Sequence, residues 1–113
     1  MKALADQSLV ICTSSCTTLS NEKINHYLNQ LKNWSINIEN NATHIVKRYS
    51  FENYANALTF TNRVAELAAL ENHHPKICLE WGTVTISWWT HTLGGLFLND
   101  FIMAARCDDI YCK

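Results

Sequence analysis

Three histidines and one aspartate carry the chemistry that this chain can offer: His73 and His74, followed directly by Pro75, then His91, then Asp100. An imidazole with a pKa near 6.5 gives or takes a proton at neutral pH, so two of them in one pocket can act as acid and base together. Such help is worth about 10² to 10⁴-fold in rate. Pro75 pushes His74 out of helical geometry, so the two adjacent rings are presented differently. Each piece also has a plainer reading. A histidine pair can simply end a helix at the surface, and Asp100 can simply be a favourable charge in a helix's first turn. The information lies in the spacing: five residues separate Pro75 from Trp81, nine separate Trp81 from His91, and eight separate His91 from Asp100.

The elements that must position these residues follow from periodicity. Ser20 caps a first helix in which Ile24, Tyr27, Leu28 and Leu31 make one apolar stripe. Trp34, Ile36 and Ile38 then alternate with polar residues, Asn40-Asn41 supplies a turn, and Thr43 to Tyr49 returns as a second strand. Ser50 is expected to cap a long helix with Tyr54, Leu58, Thr61, Ala65 and Ala68 on its apolar face, ended by Asn72 and Pro75. Ile77, Leu79 and Trp81 form a strand that turns at Gly82-Thr83 into Val84, Ile86 and Trp88. Trp88 and Trp89 point to opposite faces, one expected in the core and the other at a pocket or subunit interface. After Gly94-Gly95, Asn99 is expected to cap a last helix, with Leu98 stapled onto Met103. The order αββαββα implies an α+β fold: a four-stranded antiparallel sheet with helices packed on one face. Residues 1–18, rich in Ser and Thr, read as a flexible leader, and 19–113 as a single domain.

Bulk properties narrow the function classes. A length of 113 residues suits one core, and a net charge of −1 with scattered Lys and Arg disfavours direct nucleic-acid binding. No apolar run is long enough to span a bilayer, so a cytoplasmic protein is expected. Cys12, Cys16, Cys78, Cys107 and Cys112 lack the spacing of a secreted disulfide scaffold. Cys12 and Cys16 have a spacing that suits half a metal site, but no second Cys/His pair with zinc-finger spacing follows, so no structural metal is expected there. His26 and His44 have no matched partners and read as ordinary surface or helix residues.

The full pattern resembles the pterin-4a-carbinolamine dehydratases of bacterial type. It is carried by His73-His74-Pro75, Trp81, Trp88-Trp89-Thr90-His91 and Asn99-Asp100-Phe101-Ile102-Met103-Ala104-Ala105-Arg106, with Trp34-Ser35-Ile36 and Leu58-Thr59-Phe60-Thr61-Asn62 upstream. It extends from Leu19 to Asp108. The resemblance implies a hydro-lyase that removes water from a 4a-hydroxytetrahydropterin and so recycles the cofactor of aromatic amino-acid hydroxylases, phenylalanine hydroxylation included. It further implies His73, His74 and His91 as catalytic residues, with His73 and His91 transferring protons and His74 mainly positioning substrate. Asp100 and Trp34 are pocket candidates: Asp100 to orient a histidine or bond the pterin's amide edge, and Trp34 to flank the pterin, unless it is a core ring. No metal or redox cofactor is implied, and a homodimer or homotetramer is. Two positions depart from patterns seen in other members, Ala69 in place of an acidic residue and Leu93 in place of a cysteine of animal members. Two other classes compete: an interaction protein, since animal relatives also serve as dimerisation cofactors for a homeodomain transcription factor, and a zinc site built from the three histidines with Asp100 or Glu71.

Overall fold

Asparagine sets most of the sharp corners of this chain. A computed structural model describes residues 3–11 and 16–112. In it Asn33, Asn40, Asn41 and Asn72 all have positive φ, a region that asparagine tolerates better than other side chains. Asn40 and Asn41, at φ 52° and 63°, form the two-residue turn that suits the twist of a hairpin and join β1 (Ser35–Glu39) to β2 (Ala42–Ser50). Ahead of them, α1 (Asn21–Leu28) is capped as expected, the Ser20 hydroxyl accepting from the Lys23 amide.

After β2 come α2 (Tyr54–Glu71), β3 (Lys76–Leu79), β4 (Thr83–Trp88) and α3 (Leu98–Tyr111). The four strands form one antiparallel sheet in the order β1-β2-β4-β3, so the two hairpins meet through β2 and β4. Alternation along the central strands sends Ile45, Tyr49, Val84, Ile86 and Trp88 into a core shared with Phe60 and Val64 of α2 and Phe101 and Ile102 of α3. The α+β architecture is the one that the sequence implies. Among the described residues, no helix is long and apolar enough to cross a membrane.

Several local expectations are corrected. The buried face of α2 is Ala57, Phe60, Val64 and Ala68, while Tyr54 and Leu58 are exposed. The helix is rich in alanine, so two stripes satisfy the helical period, and the Phe60 ring against Tyr49 decides between them. The cap is Asn53, whose Oδ1 accepts from the Asn56 amide at 2.8 Å; Ser50 is still in β2, paired with Thr83. Asn99 lies inside the first turn of α3 and does not cap it, since the N-cap position falls on Phe97.

The segment expected to be a leader carries specific contacts. A 3₁₀ turn at Leu4–Asp6 places Leu4 in the core. Arg106 of α3 donates to the carbonyls of Ala5 and Gln7 and to the Glu71 carboxylate. Farther along, the Leu19 amide donates to Leu96, and a side chain at Gly95 would meet Thr18 at 2.8 Å. Cys12 lies outside the described residues, so the Cys12 and Cys16 pair is not tested.

Candidate active site

The site is assembled where three elements end. Helix α2 is closed by Asn72 in the left-handed region, which lets its amide and that of His73 return to the carbonyls of the last turn. His73 is thereby turned out of the helix toward the start of α3. There Asp100, fully buried, receives it: His73 Nε2 lies 2.6 Å from Oδ1. The other carboxylate oxygen accepts from Thr90 Oγ1 and from the Phe97 amide, both at 2.9 Å. Three donors around one buried aspartate offset the cost of removing its charge from water. The first-turn position adds the favourable end of the helix dipole.

His91 is held by the loop after β4. Thr90 and Gly95 close that loop through a backbone hydrogen bond of 2.9 Å, with Gly94 at φ 63° making the turn. His91 Nε2 lies 2.9 Å from the carbonyl of His74. A carbonyl only accepts, so His91 carries hydrogen on Nε2, and the same tautomer of His73 lets that ring donate to Asp100. Each ring then has Nδ1 left as the nitrogen that can trade a proton. Pro75 keeps His74 extended, which frees its carbonyl from helical bonding and aims it at His91.

These residues share one cavity of about 530 Å³, lined by His73, His74, Thr90, His91, Thr92 and Asn99, with Glu71 and Asn72 at the helix end. Its remaining wall is Leu9, Val10 and Ile11. The Asn99 side chain pins that wall by pairing with both backbone groups of Val10, at 2.7 and 2.8 Å. The apolar run was visible in the sequence, but nothing local linked it to Asn99, 89 residues away.

A cavity of about 480 Å³ lies elsewhere, at Phe51, Phe60, Arg63 and Tyr111, and holds no histidine. Trp34 lines neither one. Its ring is buried and its Nε1 donates to Asp108, eight residues beyond Asp100 on α3 and so about 12 Å along the helix. Of the sequence-derived candidates, the structure brings together His73, His74, His91 and Asp100 and leaves Trp34 apart as a core ring.

Trp89, the member of the tryptophan pair that lies outside the core, is the neighbour of His91, and His44, expected to be an ordinary surface or helix residue, is instead buried on β2 behind it. Trp89 stacks on the His91 ring at 4.4 Å and 7°, and His44 stacks on the other face of Trp89 at 3.8 Å and 5°. His44 is buried on β2 with Nδ1 unpartnered, and its burial lowers its pKa from the ordinary value. Nearby, Lys76 and Glu39 pair at 2.7 Å, which holds the carboxyl below and the ammonium above their usual ranges. Among the described residues no group of three His, Cys, Asp or Glu side chains is placed to hold a metal ion.

The family model for pterin 4 alpha carbinolamine dehydratase matches residues 17–110. A relative from Marinobacter nauticus that carries this family's name is 40% identical over 111 residues, covering 98% of this chain and all of that protein. Another from Vibrio cholerae is 43% identical over 97 residues, covering 86% of this chain and 89% of its own. Among solved structures, a transcriptional coactivator/pterin dehydratase from Brucella melitensis superposes with a TM-score of 0.76 over 84% of this chain and 99% of its own, at 23% identity, a likeness of fold. A pterin dehydratase-like protein described as a RuBisCO assembly factor in the alpha-carboxysome gives 0.59 over 69% of this chain and 88% of its own, at 25% identity.

Proposed function

We propose, because this chain belongs to the pterin 4 alpha carbinolamine dehydratase family, that it removes water from a 4a-hydroxytetrahydropterin through His73 and His91. The C4a–O bond breaks and its electron pair leaves with the oxygen, which is protonated to water. The N5–H bond gives its proton to a base, and its electrons form the C4a=N5 double bond of the quinonoid dihydropterin. Two proton transfers at one ring edge ask for two imidazoles in one cavity, and no electrons are exchanged with a cofactor.

The observation that supports this reading is the convergence of His73 and His91 on one cavity with Nε2 of each engaged in a hydrogen bond. Both rings then offer Nδ1, one as donor to the leaving oxygen and the other as acceptor from N5. Asp100, closed off from solvent by Thr90 and the Phe97 amide, acts through His73 by fixing its tautomer and plane. His74 contributes its carbonyl to His91 and its exposed ring to substrate positioning. Trp34 has no part in the proposed site.

In this reading the protein is cytoplasmic, works as a homodimer or homotetramer, and returns the tetrahydropterin cofactor to an aromatic amino-acid hydroxylase. The structural neighbour described as an assembly factor makes an interaction role the alternative. The test uses freshly generated 4a-hydroxytetrahydropterin and follows the quinonoid product in the presence of the purified protein. A wild-type protein that leaves the spontaneous rate unchanged overturns the reading, whereas acceleration that His73→Ala and His91→Ala each remove supports it.

A further inference from the structure

The dipeptide Trp88-Trp89 sits at the end of β4, where alternation sends consecutive side chains to opposite faces of the sheet. Each indole lies parallel to one of the two histidines assigned to proton transfer. Trp88, in the core, faces His73 with an interplanar angle of 1° and centroids 5.5 Å apart; Trp89, on the other face, covers His91 at 7° and 4.4 Å. A parallel, offset arrangement is a favoured geometry for aromatic pairs and constrains the plane of the smaller ring.

The two histidines are not equally secured. His73 is half-buried and tied to a buried carboxylate, so Trp88 adds to an anchor already in place. His91 is exposed, with one hydrogen bond to the His74 carbonyl, and that bond leaves the ring free to swing about it. The face of Trp89 is what removes that freedom. Trp89 is itself held on its far side by His44, because the pairing of Ile45 with Trp88 puts the next residue outward on β4 beside the preceding residue on β2. His44 is buried, so its position is fixed by the sheet, and its lowered pKa keeps the ring uncharged near neutral pH.

We infer that Trp89 is a positioning residue for His91, a flat platform backed by His44 that sets the plane of the imidazole in the reactive cavity. This rests on the proposed reaction for its kinetic consequence and on geometry alone for the platform itself. A ring misplaced by about 1 Å costs up to about a hundredfold in rate, and a swinging ring spends part of its time well placed.

The test compares Trp89→Leu, which stays apolar and loses the flat face, with Trp89→Phe, which keeps a flat face. Trp89→Leu is expected to lower kcat about tenfold with KM nearly unchanged, and Trp89→Phe to restore most of the loss. Independently of turnover, the His91 ring-proton resonances should lie upfield under the indole, move downfield in Trp89→Leu and largely stay in Trp89→Phe. Equal kcat and unmoved His91 resonances in the leucine variant overturn the platform. So does a loss of kcat shared equally by both variants. A wild-type protein without dehydratase activity overturns the proposed reaction, and the resonance shifts still decide the platform.

Discussion

Helix α3 carries two hydrogen-bonded aspartates, Asp100 at its first turn and Asp108 in its last third, and they do different work. Asp100 is fully buried and holds His73, Thr90 and the Phe97 amide. Asp108 is half-buried and gathers two residues of β2, Lys47 at 2.8 Å and the Tyr49 hydroxyl at 2.6 Å, and Trp34 just ahead of β1, its Nε1 at 3.1 Å. What separates them is the chemistry of the partners. An indole does not titrate, and burial pushes the Tyr49 hydroxyl up. The Asp108 cluster contains no imidazole and lines no histidine-bearing cavity, so it fastens α3 to the sheet. The Asp100 cluster contains an imidazole and opens on a cavity, so the same carboxylate there governs a group that can exchange a proton.

The comparison predicts opposite outcomes for paired substitutions. His73→Gln, whose side-chain amide can still donate to the buried Asp100, should lower kcat about 10² to 10⁴-fold, the span of a lost acid–base group, with a melting temperature close to wild type. Steady-state kinetics beside thermal melts check both halves. Asp108→Ala should do the reverse. It strands the buried Tyr49 hydroxyl and the Trp34 indole, a loss of about 1–3 kcal/mol in chemical denaturation, while kcat stays within about twofold. A large fall in kcat for Asp108→Ala at temperatures where it is folded would break the division between the two ends of α3.

The two ends were not equally legible in the sequence. His73, His91 and Asp100 sit at element ends that Pro75, the Gly82-Thr83 turn and the Gly94-Gly95 loop mark locally, so their spacing could be read along the chain. The order of helices and strands followed from periods of 3.6 and 2. The Asp108 cluster depends on which residues of β2 and of the segment just before β1 lie over α3, a long-range matter, and Trp34 was accordingly left open between core and pocket. The same limit hid His44, whose pairing with Trp89 appears only once the β2–β4 register is known. It also hid the wall made by Leu9, Val10 and Ile11, which reaches the site through Asn99. The buried face of α2 was misjudged because alanines fill both candidate stripes.

A smaller effect separates the clusters at alkaline pH. The Tyr49 hydroxyl is raised above its ordinary value near 10, by burial first, then by the neighbouring Cys107 thiol, with the bond to Asp108 adding to it. The folded state thus holds a proton that the unfolded state releases. Stability from this group is complete below pH 10 and declines as pH rises past it. The Cys107 thiol, pushed up to about 12 by burial, adds the same trend from pH 9 upward. Tyr49→Phe should flatten the decline in melting temperature above pH 10, while substitutions at Asp100 should leave that decline in place.

The smallest effect belongs to His44 and sharpens the contrast from the acid side. Its pKa is lowered, chiefly by burial, so the unfolded chain takes up a proton near pH 6.5 that the folded chain resists. Glu39 draws the value back up and Lys76 presses it down, which leaves desolvation as the dominant cause. The stability associated with the neutral ring is whole above pH 6.5 and is lost as pH falls below it. His44→Phe keeps a flat ring against Trp89 and removes the titration. That variant should melt with a shallower dependence between pH 6.5 and 5 than wild type, and with kcat nearly unchanged at pH 7.5. An identical slope in the two proteins would mean that His44 becomes charged without leaving the stack. The platform under His91 would then tolerate a positive charge at its base, and its hold on the ring would owe nothing to neutrality.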